Sequence, residues 1–208
     1  MALHYRTQAV ILKKEDIGEA DRIFTVFSER YGKIRLRAVS ERKITSKLRG
    51  GLEHCAISDI EFIQGKSAKT ITDACFVYQL SGVKENLFLL KTAYRICEVA
   101  DALLAHEEKN DRIWNVLCEA LKILEHRTDI QARVLMHATF WKLISLEGYT
   151  PLTKDLKHAS FRINRMVEYL MGAPFAELLE DKEMCSLIGQ GALKEVSQHH
   201  LLQVIKSW

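Results

Sequence analysis

The apolar residues of this chain change their spacing once, and that change divides the fold. Up to about residue 80 they follow a period of two, and from about residue 84 the period is 3.6. Strands and helices segregated along a chain build an α+β protein. Before the switch, Gln8, Val10 and Leu12 alternate with Ala9 and Ile11, and Asp16-Ile17-Gly18 reads as a turn. Ile23 to Phe27 is a β-branched and aromatic run closed by Tyr31-Gly32, where glycine permits a positive φ. A third strand starts at Lys33. A fourth, Cys55 to Ile63, follows Gly50-Gly51, and Gln64-Gly65-Lys66 turns the chain into a fifth, Thr70 to Val77. Five short strands with a longer loop between the third and fourth predict a small barrel of the OB type, which leaves a curved face for a strand-like ligand.

After the switch, Ala93, Ile96, Cys97, Ala100, Leu103 and Leu104 form one helical stripe. A second helix carries Ile113, Trp114, Leu117, Leu121 and Leu124, with an N-cap expected near Asp111. The third, about Ile130 to Glu147, is apolar nearly all round, through Val134, Leu135, Met136, Ala138, Phe140, Trp141, Leu143 and Ile144. That pattern belongs to a central buried helix or to one carrying an open apolar groove. Gly148 ends it, and Pro151 prevents its return. Further helices are expected near Phe161 to Met171, Pro174 to Glu180 and Gly191 to Ile205. The reading is a barrel domain over residues 1–80 and a helical domain over residues 81–208.

The charge is as segregated as the period. Residues 1–80 hold 14 basic and 10 acidic side chains (+4), and the remainder hold 16 and 17 (−1). Eight of the basic residues lie between Arg30 and Arg49 (Arg30, Lys33, Arg35, Arg37, Arg42, Lys43, Lys47, Arg49), against one acid, Glu41. Lys33, Arg35 and Arg37 interleave with Ile34, Leu36 and Ala38. On a strand the three cations therefore share one face, a row of about 13 Å at roughly 3.3 Å per residue. Such a row, followed by the basic loop Arg42, Lys43, Lys47 and Arg49, suits the backbone of a nucleic acid. The plainer reading is a solvated, solubilising sheet face. Tyr31, beside the row, is either a turn or core residue or a side chain on which a base stacks.

Other chemistries find little support. The sequence contains no glycine-rich phosphate loop, no HExxH and no nucleophile elbow. Its five cysteines (Cys55, Cys75, Cys97, Cys118, Cys185) are scattered, with neither zinc-knuckle nor redox-pair spacing, and fit reduced thiols. Cys97 and Cys118 sit on or beside apolar stripes as inert buried thiols. His54-Cys55 and His199-His200 lack partners at ligand spacing. Glu15, Asp16, Glu19 and Asp21 read as a solvated turn rather than a catalytic carboxylate pair. The opening Met1-Ala2-Leu3-His4-Tyr5-Arg6 lacks a signal-peptide pattern, and no apolar run reaches the roughly 18 residues of a membrane span. A cytoplasmic, nucleoid-associated protein without cofactor, metal or enzymatic activity is expected.

The first half resembles the bacterial RecO family. The likeness lies in Tyr5-Arg6-Thr7-Gln8-Ala9-Val10-Ile11-Leu12, Gly18-Glu19-Ala20-Asp21-Arg22-Ile23, Tyr31-Gly32-Lys33-Ile34 and Lys47-Leu48-Arg49-Gly50, in the family's order and close to its spacings. In the helical half, Leu146-Glu147-Gly148-Tyr149-Thr150-Pro151 is similar to the family's Gly-Tyr turn, and Ile205-Lys206-Ser207-Trp208 to its terminal element. The resemblance implies an OB barrel joined to a helical domain and a non-enzymatic role in recombinational repair. It implies binding to single- and double-stranded DNA, strand annealing, partnership with RecR, contact with the C-terminal tail of single-stranded DNA-binding protein (SSB), and help in loading RecA.

Two departures bear on that implication. Where many members of the family carry a four-cysteine zinc module, Pro151 to Phe161 has no cysteine, so zinc is not expected. The central helix has His137, Ala138, Thr139 and Phe140 where an Arg and then Phe-Glu are usual. The charge facing an acidic tail then falls to His137 or to Arg133, with Leu135, Trp141 and Ile144 as the groove. The rival function is a protein-interaction scaffold whose helical half binds partners. A cysteine-dependent enzyme would require an exposed, acidified thiol beside a histidine base.

Overall fold

The computed structural model describes residues 3–65, 68–149 and 161–189, together with 191 and 193. It contains two compact units, Met1–Ser81 with Leu104–Cys118, and Gly82–Leu103 with Glu119–Trp208.

In the first unit β1 (His4–Ile17), β2 (Asp21–Ser28), β3 (Gly32–Ala38), β4 (Ile57–Gln64) and β5 (Lys69–Tyr78) close into an OB-type barrel in the order β1-β2-β3-β5-β4. β1 makes closure possible by serving two neighbours. Its first half pairs with β4, from His4↔Ile63 to Val10↔Ile57, and its second with β2, from Ala9↔Ser28 to Ile17↔Asp21. The register with β2 shifts between Ile11 and Lys13, a bulge at Leu12 of the kind that bends a strand around a barrel. Alternate side chains then point inward. Ala9, Ile11, Phe24, Val26, Ile34, Leu36, Ile60, Phe62 and Ile71 fill the interior, and Leu52 and Leu48 pack on from the β3–β4 loop.

The barrel is weakest between β3 and β5, which share one bridge, Arg37↔Thr70. At the other end of β3 a strap from the same unit, Leu104–Asn110, supplies the missing partner. His106 bridges Lys33 in parallel, and the Glu107 N–H donates to the Lys33 carbonyl at 2.9 Å. The approach is close because Gly32 has no side chain. A Cβ there would lie 2.1 Å from the Glu108 carbonyl oxygen, and the Gly32 φ is +64°.

The second unit is built around α3 (Asp129–Leu146), against which α1 (Leu87–Leu103), α4 (Phe161–Gly172), α5 (Phe175–Glu180) and α6 (Lys182–Gly189) all pack. Enclosure by four helices accounts for a helix apolar around its circumference. Thr128 starts α3 with a capping box: its hydroxyl accepts from the Gln131 N–H while the Gln131 side chain accepts from the Thr128 N–H. Gly148, at φ +82°, ends it.

α2 (Asp111–Leu124) contributes its residues through Cys118 to the first unit. Its cap is Asn110 rather than Asp111, since the Asn110 side-chain oxygen accepts from the Arg112 and Ile113 N–H groups at 3.1 and 3.2 Å. Among the described residues no helix is long and apolar enough to cross a membrane. Pro151, His199-His200 and nearly all of the helix expected over Gly191 to Ile205 lie outside the described residues.

Replacing Gly32 by alanine should push the strap from β3. The expected loss of stability exceeds the roughly 1–2 kcal/mol that a left-handed backbone alone costs a substituted residue. Urea unfolding of the full chain measures it.

Candidate nucleic-acid interface

β3 carries the expected cations, but the row is interrupted. Arg35 and Arg37 are exposed, opposite buried Ile34 and Leu36. Lys33 is only 6% exposed. The expectation of three solvent-facing cations is thus corrected to two, because the strap along Lys33 covers the end of the row.

The remaining arginines are not bare. Arg35 donates to Glu15 at 3.0 Å, and Arg37 to Asp21 at 2.5 Å. Arg22 donates to Asp16 at 2.6 Å and Glu41 at 3.0 Å, while Arg42 lies 3.6 Å from Asp16 and donates to the Gly18 carbonyl at 3.1 Å. Cross-strand register places Arg22 directly opposite Asp16, while Arg37 shares a row with Ile23 and Glu15, so the Arg35–Glu15 and Arg37–Asp21 pairs run diagonally across the strands. The acids respond accordingly. Asp16 is held below the ordinary carboxylate range chiefly by its bond from Arg22, and Asp21 by the Ser40 N–H and then Arg37. Three of the acids read as a solvated turn, Glu15, Asp16 and Asp21, are therefore partners of the basic face. Glu41, the one acid in the basic window, is 2% exposed and bound to Arg22.

Beyond this network the β3–β4 loop presents Lys43, Lys47 and Arg49 to solvent, with no side-chain hydrogen bond or ion pair among the described residues. These cations are the readiest for phosphate. From Arg35 and Arg37 a trough of about 600 Å³ runs to Lys69 and Glu107. It shares Ile34, Gln64, Lys69 and Glu107 with a second cleft, of about 320 Å³, lined also by Tyr5, Arg30, Tyr31, Phe62 and Lys109. There Tyr5 stacks on Phe62 (centroids 5.3 Å apart, planes at 15°), and Tyr31 meets both rings edge-on at 5.8 and 5.6 Å.

Tyr31 is half-buried against the barrel core and also lines this cleft. Tyr5, Phe62, Lys69 and Lys109 were not singled out from the sequence. A tyrosine at the start of β1 and one in the β2–β3 turn, which a barrel brings to one end, were the available signal.

The helical unit also differs from expectation. Trp141, Leu135 and Ile144 are fully buried, so Trp141 is core and not a partner contact. An open groove of about 590 Å³ lies instead along Phe88, Arg95, Arg133, Met136, His137 and Phe140. Arg133 sits over the Phe88 ring, 5.2 Å from its centroid. His137 lines the groove but is only 7% exposed, and burial, with Arg133 nearby, lowers its pKa to about 4. It is neutral at physiological pH, so the positive charge in this groove comes from neighbours such as Arg133 and Arg95.

Cys75 is exposed and Cys55 is buried. Cys97 is buried, Cys118 is half-buried, and burial pushes the Cys185 thiol up.

The barrel has a known counterpart. Residues 1–80 match the family described as Recombination protein O N terminal. The chain is similar to DNA repair protein RecO of Dehalococcoides mccartyi strain 195, at 28% identity over 79% of this chain and 64% of the relative. It is also similar to DNA repair protein RecO of Pelotomaculum thermopropionicum, at 27% over 74% and 59%, and of Acaryochloris marina, at 29% over 73% and 52%. By both comparisons the chain is similar to RecO proteins, most closely over its barrel. It covers under two thirds of the length of these RecO relatives.

The residues matched as RecO N-terminal domain include the whole five-stranded barrel and the basic loop. Two groups in this chain have consequences for its stability. Arg22→Leu leaves Glu41 buried without its partner and should destabilise the chain by about 3 kcal/mol, read by chemical denaturation.

His137 acts through pH. Its unfolded form takes up a proton near 6.5, whereas the folded imidazole stays neutral to about 4. Its contribution is therefore complete above pH 6.5 and is lost as pH falls toward 4. The stability difference between the wild-type chain and His137→Gln should shift by about 3 kcal/mol against the wild type over that window, measured by denaturation at each pH.

Proposed function

We propose that this chain is a DNA-binding mediator of recombinational repair that works by binding, without catalysis of its own. The observation that carries the reading is the run of exposed, unpaired cations Lys43, Lys47 and Arg49 on a RecO-type barrel, with Arg35 and Arg37 in the trough that leads to the aromatic cleft. Phosphates would engage the loop cations first. Arg35, Arg37 and Arg42 would join by exchanging carboxylate partners for phosphate. Sequence indifference follows, since these side chains offer charge rather than base-edge recognition.

In this role the chain would bind single- and double-stranded DNA, promote annealing, and act with RecR in loading RecA on SSB-coated DNA. The groove at Arg133 and Phe88 is the proposed seat for the acidic tail of SSB, with Arg133 and Arg95 facing its carboxylates and His137 contributing shape rather than charge.

The internal pairing of Arg35, Arg37 and Arg42 favours a second reading, a scaffold whose helical groove binds a partner while the barrel is only soluble support. A fluorescence-anisotropy titration of single-stranded DNA across a salt series separates the two. Under the first reading, changing Lys43, Lys47 and Arg49 together to glutamine weakens binding and flattens the slope of log affinity against log salt by about 2, at roughly 0.7 per lost phosphate contact. Changing Arg35 and Arg37 to glutamine costs less per residue, because each already has a carboxylate partner. A wild-type chain that does not bind DNA at low salt leaves the scaffold.

A further inference from the structure

The strap does more than complete the barrel. Glu107 stands where the trough and the aromatic cleft meet, and its carboxylate is ion-paired with Lys69 at the start of β5. Both partners remain accessible, at 27% of the Lys69 side chain and 64% of that of Glu107. Glu107 is held there by its backbone: its N–H is bonded to the Lys33 carbonyl, and its φ is +60°, a left-handed conformation that a non-glycine residue adopts at a cost. A strained residue thus carries a carboxylate onto a cation where the trough meets the aromatic cleft. Around it lie the half-buried rings of Tyr5 and Tyr31, with Arg30 and Lys109 at the rim. Lys109 has its own acid, Asp111, at 3.0 Å. Arg30 is exposed, with no side-chain bond among the described residues.

We propose that the cleft walled by Tyr5, Tyr31 and Phe62 is a seat for one unpaired nucleotide, and that the phosphate of that nucleotide takes Lys69 from Glu107. The proposal rests on the DNA-binding reading above and names a site within it. A carboxylate and a phosphate oxygen present the same acceptor chemistry to an ammonium group, so Glu107 holds the phosphate position until DNA arrives. The rings add what phosphate contacts cannot, since a base must leave its partner to stack on an aromatic surface, and stacking tolerates every base. The seat therefore selects single strands over duplex without selecting sequence. Because the Lys69–Glu107 pair is exposed, exchange costs little and remains reversible.

The test is a binding cycle on the full chain, with a fluorescein-labelled oligothymidylate, a duplex of equal length, and an abasic deoxyribose-phosphate chain of equal length as probes. Glu107→Gln removes the competing charge at constant size. It should tighten oligothymidylate binding by roughly two- to fivefold, the scale of one exposed ion pair. In the Lys69→Gln background the gain should vanish. Glu108→Gln makes the same change of net charge on the same strap away from Lys69 and should give a smaller gain than Glu107→Gln.

Tyr31→Leu keeps apolar bulk and removes the ring. It should weaken oligothymidylate binding by at least roughly fivefold while leaving the abasic chain and the duplex unchanged. Equal gains from Glu107→Gln and Glu108→Gln, a gain that survives Lys69→Gln, or equal losses on all three probes with Tyr31→Leu would overturn the seat. If Tyr31→Leu fails to fold, as circular dichroism would show, the Glu107–Lys69 cycle still decides. Should the wild-type chain bind none of the probes, the DNA-binding reading falls first; if it binds them and the variants behave alike, only the seat falls.

Discussion

A strand in a closed barrel has two edges of backbone hydrogen-bonding groups to satisfy, and β3 satisfies its second edge in two different ways. Toward its C-terminal end it meets β5 through the Arg37↔Thr70 bridge, and toward its N-terminal end it meets the strap at Lys33. Unpaired backbone groups in a buried seam are expensive, so a barrel whose last pair of strands diverges requires a substitute strand. Much else follows from that substitution. The strap needs Gly32 to approach, it buries Lys33, and it brings Glu107 to Lys69 at the junction of two cavities. The interruption of the cationic row and the shape of the candidate interface thus share one backbone cause.

The second constraint is electrostatic. A barrel face with Arg22, Arg35, Arg37 and Arg42 close together would repel itself, and Glu15, Asp16, Asp21 and Glu41 are positioned to offset that charge. Arginine suits the arrangement because its several N–H donors serve two acceptors at once, as Arg22 does with Asp16 and Glu41. The result is a surface whose local field is weaker than a count of cations suggests. Its strongest attraction for a polyanion moves outward to the β3–β4 loop. Long-range steering would come from that loop, while contacts formed in the trough require partner exchange.

The barrel, the positions of its five strands along the chain and the central helix were legible because hydrophobic period reports burial directly. Ile34 and Leu36 inside with Arg35 and Arg37 outside is the pattern alternation predicts. What the period could not report was contact between distant segments. Nothing near Lys33 in sequence indicates that residues 106–108 will cover it. Glu15 and Asp21 become partners of Arg35 and Arg37 only through the register of three strands. The same limit applies to Trp141 and His137. An all-apolar helix does not say which of its faces stays open, and here four packed helices bury Trp141 while leaving the groove along Arg133, Met136 and Phe140. Tyr31 was visible as a candidate, but its cleft exists only once Tyr5 and Phe62 arrive from two other strands.

The ion pairs in the first unit fall into two classes, and exposure separates them. Arg22–Glu41 includes a carboxylate almost wholly withdrawn from water, so either partner alone would carry an uncompensated desolvation cost. Such a pair fixes the β3–β4 loop to β2 and is a poor candidate for exchange. Lys69–Glu107, Arg35–Glu15 and Arg37–Asp21 keep at least one solvated partner, and pairs of that kind contribute little net stability because water replaces each lost contact. A ligand phosphate can then displace the acid with only a small change in the free energy of the fold. The Arg22–Glu41 pair holds the basic loop in place, and the more exposed pairs line the trough and the cleft proposed for a strand. A binding surface can in this way be preassembled and charge-balanced before its ligand arrives, at little cost to the stability of the barrel that carries it.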